Sequence, residues 1–177
     1  ERKVDVCTQG SGNESIRDTI TQMKETVYET IKKTREFAKE LRPAVIENAR
    51  VGDILEWLVC ECRRKFSFTI EFNRPNIDFI FSNTKNLALY RIVQEALTNC
   101  ARYAEASEVR VLLESPEKNI DVWVCDNGKG FDFESKKLQD AFGLVGMQER
   151  ARQFGGDVEI MSTMGAGTKI CVRMPKE

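Results

Sequence analysis

The stretch Leu89-Tyr90-Arg91-Ile92-Val93-Gln94-Glu95-Ala96-Leu97-Thr98-Asn99 carries two signals at once. Within the wider run 83–102, Leu87, Tyr90, Val93, Leu97 and Ala101 recur at helical spacing, so one face of a helix is built to be buried. Glu95 and Asn99 stand four residues apart and share another face, followed by Arg102 and Tyr103 at the helix end. A carboxylate and an amide oxygen side by side suit Mg²⁺, which takes hard oxygens and keeps several waters. Taken singly, the pair is a weak signal that a solvated helix face explains better.

Three glycine-bearing stretches follow in order. Asp126-Asn127-Gly128-Lys129-Gly130-Phe131 comes just after a β-prone run, 120–125. An acidic residue at a strand end can accept a hydrogen bond from an exocyclic amine such as that of adenine. Gly128 and Gly130 let backbone pass close to a flat base or a phosphate. The same residues are also good turn chemistry. Gly143-Leu144-Val145-Gly146-Met147 opens a second helical run, 144–154, where unpaired backbone N–H groups favour phosphate. Gly165-Ala166-Gly167-Thr168 lies between two further strand-like runs, 158–161 and 168–174.

Outward from these stretches, residues 53–65 form an amphipathic helix with Asp53 as a candidate cap, and 68–72 and 109–113 are β-prone. Residues 114–119 read as a hairpin turn, and Gly155-Gly156 ends the helix 144–154. Helices interleaved with an antiparallel-looking sheet predict an α+β two-layer sandwich over residues 51–177. Before it, residues 1–13 read as a linker. In 14–42 the positions Ile16, Ile20, Met23, Val27, Thr30, Thr34, Phe37 and Leu41 step alternately by four and three. That near-heptad predicts a helix with a seam for a partner helix, stopped by Pro43.

Composition excludes several chemistries. The 177 residues contain no histidine, so neither Ser-His-Asp nor Cys-His catalysis is available. No P-loop and no G-x-G-x-x-G fingerprint is present. The net charge of −1 predicts no direct nucleic-acid partner. No apolar run reaches the roughly 18 residues of a membrane span, so any membrane contact is expected through upstream segments. The six cysteines include no C-x-x-C pair and read as reduced thiols of a cytoplasmic region.

In this order, the four stretches resemble the GHKL ATPase fold shared by gyrase, Hsp90, MutL and histidine kinases. The likeness covers about 83–175. Residues 89–99 are similar to the N box of the sensor histidine kinases paired with LuxR-type response regulators. Residues 143–151 are similar to that group's G-L-x-G-M-x-E-R motif. Leu41-Arg42-Pro43 resembles the end of its second dimerisation helix. The resemblance implies ATP and Mg²⁺ as cofactors, with Glu95 and Asn99 as catalytic and metal-holding residues. It implies Asp126 reading the adenine amine, Arg102 near the phosphates, Thr168 supporting the adenine end and Tyr103 against the base. Gly128, Gly130, Gly143 and Gly146 would shape the nucleotide site, the last two ending a lid over 132–142.

The resemblance further implies that 14–43 is the second helix of a dimerisation and phosphotransfer hairpin, in a homodimeric kinase that passes phosphate to a response regulator with a receiver domain. The group often carries histidine where Tyr103 stands, and its phosphoacceptor histidine precedes residue 14. The acceptor is therefore expected on an upstream helix of a longer protein. Another GHKL protein kinase, of the anti-sigma serine type, and a non-catalytic nucleotide-binding dimerisation scaffold are the alternatives.

One outcome follows from the absence of histidine. Incubation of this chain alone with γ-labelled ATP leaves it without acid-labile, base-stable phosphate, as read by acid and alkali treatment of the labelled protein. Such label on the isolated chain would overturn the assignment of the acceptor to a separate helix.

Overall fold

A computed structural model describes residues 44–132 and 142–177, together with Met23 and Val27. Met23 and Val27 are both helical. The rest of the helix expected over 14–42, and positions 133–141 of the expected lid, lie outside the described residues.

Eight main elements follow a short 3₁₀ turn at Ala44–Ile46. They are α1 (Val51–Lys65), β1 (Thr69–Asn73), α2 (Asn83–Asn99), β2 (Glu108–Glu114), β3 (Asn119–Asp126), α3 (Phe142–Arg152), β4 (Asp157–Ser162) and β5 (Thr168–Pro175). The five strands form one sheet in the order β1-β2-β3-β5-β4. β2, β3, β5 and β4 pair antiparallel, but β1 runs parallel to β2, with Ile70 opposite Val109. The sheet is therefore mixed rather than antiparallel. A parallel pair requires a crossover, and α2 supplies it between β1 and β2.

Period-two alternation sorts the strands into two faces. Ile120, Val122 and Val124 of β3, Ile170, Val172 and Met174 of β5, and Val109, Val111 and Leu113 of β2 are all buried in one core. Against them pack Leu89, Ile92, Val93, Ala96 and Leu97 of α2, with apolar residues of α1 and α3. The opposite phase carries polar groups. Arg173 donates to Asp121 (3.1 Å), and Trp123 Nε1 donates to Glu114 (3.2 Å). One face covered by helices and one closed by side-chain pairs is a two-layer α/β sandwich, as the alternation predicted.

Two helix ends differ from expectation. Asp53 does not cap α1; the N-cap is Arg50, and Asp53 lies in the first turn with its carboxylate on Arg74. Ser82 caps α2, accepting from the Lys85 amide (3.3 Å). The helix expected to run regularly through Arg102 instead loosens after Asn99 into a π turn, Cys100–Ala104, ended by Glu105 in the left-handed conformation (φ 53°). The Ala104 carbonyl, left over by the helix end, accepts from the Lys129 amide (2.8 Å).

Ile92 is fully buried between α2 and the sheet. Ile92→Ala is expected to lower stability by about 2–5 kcal/mol, read as a lower urea midpoint at unchanged slope.

Candidate nucleotide site

α2 serves the core and the site with different faces. Its apolar side lies on the sheet, while Glu95 and Asn99 lie beside the start of α3. A methyl group added at Gly143 would lie 2.5 Å from Glu95 Oε1 and 3.7 Å from Asn99 Nδ2. Both polar ends therefore converge on the first turn of α3. The π turn that follows brings Arg102 and Tyr103 to the same opening. Such widened turns interrupt helices most often at functional positions.

Asp126 ends β3. Its Cα is paired with Thr168 across the β3–β5 ladder. Oδ1 accepts from the Gly128 amide (2.9 Å), and Oδ2 accepts from the Cys100 thiol (3.6 Å). Burial, and then the Asp126 charge, push the Cys100 pKa far up, so the thiol stays protonated. Thr168 is buried and exchanges a 2.9 Å hydrogen bond with Ser162 Oγ. The Ser162 hydroxyl donates to the Gly167 carbonyl (3.2 Å) and accepts from the Phe131 amide (2.9 Å). It thereby ties the 127–131 loop to the β4–β5 hairpin.

These groups line one cavity of about 400 Å³, within the range of about 300–1,000 Å³ typical of small-molecule sites. Eight of the residues expected from sequence lie on its wall: Glu95, Asn99, Arg102, Tyr103, Asp126, Gly130, Gly143 and Thr168. Gly128 and Gly146 do not. A Cβ at Gly128 would stand 2.2 Å from the Ala104 carbonyl oxygen, so this glycine admits protein backbone. Gly130 does both, because it lines the cavity at φ +62° with the Thr163 carbonyl 2.1 Å from where a Cβ would sit. Asn127 is a structural turn residue whose Oδ1 accepts from the Ser107 and Glu108 amides (3.0 and 3.1 Å).

Sequence reasoning missed Cys100, Lys129 and the apolar wall of Ala96, Phe131, Leu144 and Ile170. It also missed Ser162. Lys129 lay inside a stretch already singled out and pairs with Glu105 (2.6 Å), which lowers the Glu105 pKa. No local pattern marks Cys100 or Ser162, whose roles arise from residues 26 and 31 positions away.

Residues 84–177, more than half of the chain, match the family described as histidine kinase-, DNA gyrase B-, and HSP90-like ATPases. The chain belongs to that family. It is thus an ATP-binding domain. Over 156 residues the chain is 35% identical to the sensor histidine kinase LiaS of Bacillus subtilis (strain 168), covering 88% of this chain and 42% of that protein. It is 32% identical to the sensor histidine kinase ComP of the same organism, over 88% of this chain and 20% of that protein. The chain thus spans less than half the length of these relatives.

Among solved structures, the histidine kinase domain of the Erythrobacter litoralis EL346 blue-light activated histidine kinase shares the fold. Its TM-score is 0.60 at 16% identity, covering 72% of this chain and 61% of that one. The ATP binding domain of PrrB from Mycobacterium tuberculosis does so at TM-score 0.59 and 19% identity, covering 71% and 93%. The two-layer sandwich and the likeness to sensor histidine kinases, both expected from sequence, are borne out.

The donor set fits a divalent cation shared with a phosphate ligand. Among the described residues no group of three or more acidic, cysteine or histidine side chains forms a self-contained metal cage. Glu95 and Asn99 would offer it one carboxylate and one amide, with water and phosphate oxygens as the further ligands.

The glycines separate in a stability test. Gly130→Ala places a methyl against the fixed Thr163 carbonyl at positive φ and is expected to cost about 1–3 kcal/mol in urea unfolding. Gly143→Ala meets the movable ends of Glu95 and Asn99 and no backbone, so it is expected to leave stability nearly unchanged while weakening nucleotide binding.

Proposed function

We propose that this chain is the catalytic region of a two-component sensor histidine kinase, in which Asp126 recognises adenine and Asn99 with Glu95 holds Mg²⁺. The observation that carries the reading is the convergence of Glu95, Asn99, Asp126 and Thr168 on a single cavity. The names of the relatives support the same activity.

The two ends of the cavity differ in chemistry. At the Asp126 end, a carboxylate already oriented by two donors offers remaining lone pairs to the exocyclic amine, with Thr168 beside it. At the α3 end, the backbone N–H groups of the first turn and the cation of Arg102 favour phosphate. Bound there, Mg²⁺ supplies charge neutralisation to the phosphate oxygens. Glu95 would orient a bound water or polarise an attacking imidazole presented at the cavity mouth. That imidazole is expected on an upstream helix, and a receiver-domain aspartate of a response regulator receives the phosphoryl group next. Dimerisation through the 14–43 helix belongs to the same proposal.

Calorimetry with a non-hydrolysable ATP analogue tests the site. Wild-type chain is expected to bind it with Mg²⁺ and more weakly without. Asp126→Asn removes a charge-assisted hydrogen bond and should cost about 1.5–3 kcal/mol, roughly ten- to a hundredfold in Kd. Asn99→Asp should alter the Mg²⁺ dependence. In the full-length kinase, Glu95→Gln should depress autophosphorylation and reduce the Mg²⁺-dependent part of nucleotide binding. Unchanged binding in both site variants would remove the assignment of Asp126 and Asn99.

A further inference from the structure

The orientation of the Asp126 carboxylate rests on a residue outside the motif that contains it. The backbone at Asp126 is held on both sides. The residue is the last of β3, laddered to Thr168, and a Cβ at Gly167 would lie 2.0 Å from the Asp126 carbonyl oxygen. Only the side-chain torsions remain adjustable. Two donors from different elements fix them: the Gly128 amide from the loop on Oδ1, and the Cys100 thiol from the π turn on Oδ2.

The two donors are unequal. An amide at 2.9 Å occupies its lone pair fully. A thiol at 3.6 Å is a weak donor at long range, which biases the carboxylate without saturating Oδ2. Cys100 is 5% exposed and lines the cavity. The buried thiol meets Asp126 Oδ2 as the donor of the pair. An aliphatic residue here would leave Oδ2 without this guide. A serine would donate too, through a shorter C–O bond that reaches less far.

We propose that Cys100 is a positioning residue for base selection: its thiol holds Asp126 so that Oδ2 presents a lone pair to the amine of a 6-aminopurine. The inference rests on the reading that Asp126 faces the base. A 6-oxopurine sets its own acceptor against that lone pair, and an unsubstituted purine offers no donor. The held carboxylate thus favours adenine over both, because a polar group aimed at a missing partner is left unpaired.

The test compares three nucleotides on the whole chain by calorimetry: a non-hydrolysable ATP analogue, its guanine counterpart, and purine riboside triphosphate, which lacks the 6-amino group. Cys100→Ala is expected to weaken the adenine nucleotide about three- to tenfold and to leave the purine nucleotide unchanged. Cys100→Ser should recover part of that loss. In an Asp126→Asn background, Cys100→Ala should add nothing. Should Cys100→Ala melt before binding can be read, the isosteric pair Cys100→Thr and Cys100→Val carries the same comparison, with threonine alone retaining discrimination.

Equal loss for the adenine and purine nucleotides, or a loss that persists with Asp126→Asn, would show a packing role only and overturn the proposal. No loss at all overturns it as well. A wild-type chain that binds both nucleotides equally overturns the assignment of Asp126 to the base, and this inference with it. A wild-type preference that Cys100→Ala leaves intact overturns the role of Cys100 alone.

Discussion

Three backbone segments cross at the end of β3 at separations that no side chain tolerates. Gly167 passes over the Asp126 carbonyl, Gly128 over that of Ala104, and Gly130 over that of Thr163. A Cβ at any of the three would meet a carbonyl oxygen at 2.0–2.2 Å. Backbone carbonyls in ladders and helix ends cannot swing away as a side-chain tip can, so these contacts lock the loop after β3, the end of α2 and the β4–β5 hairpin into one arrangement. Hydrogen bonds then exploit the proximity. The Lys129 amide reaches Ala104, the Gly165 amide reaches Lys129, and Ser162 bridges Phe131, Gly167 and Thr168. The positions of Asp126 and Thr168 follow from this packing more than from their own interactions.

The same economy of position governs α2. A helix with one face on a five-stranded sheet has little rotational freedom, because Ile92, Val93, Ala96 and Leu97 are all fully buried. Glu95 and Asn99 inherit that rigidity. Sites carried on regular elements hold their geometry better than sites on loops. The π turn adds a local departure where rigidity would misplace the next residues. It moves Arg102 and Tyr103 to the cavity while Cys100 and Ala104 remain buried. Core packing and site geometry are thus one set of constraints, and a cavity mutation in α2 should be felt at both.

Much of the fold was legible because its signals are local. Alternation marks β3 and β5 to within about a residue of their ends, since each buried position recurs every two residues whatever the partner strand. Helical recurrence likewise marks α2, and the residues Glu95 and Asn99 follow from spacing four on one face. The parallel pairing of β1 with β2 was not legible, because Thr69–Asn73 carries no feature that distinguishes a parallel neighbour from an antiparallel one. The π turn was equally hidden, since the hydrophobic period continues across it.

The sequence by itself determined which residue types are present and in what order along the chain. That order sufficed for the two-layer architecture, for the carboxylate and amide pair on α2, and for Asp126 at a strand end. Tertiary structure alone decided which neighbours those residues have. It turned Gly128 from a presumed ligand contact into a crossing point for backbone, moved Asp53 from a cap to an ion pair with Arg74, and set the thiol of Cys100 on a carboxylate 26 residues away. The physical reason is range: periodicity and capping act over a few residues, whereas close approach and hydrogen bonding act between segments that only the folded sheet brings together.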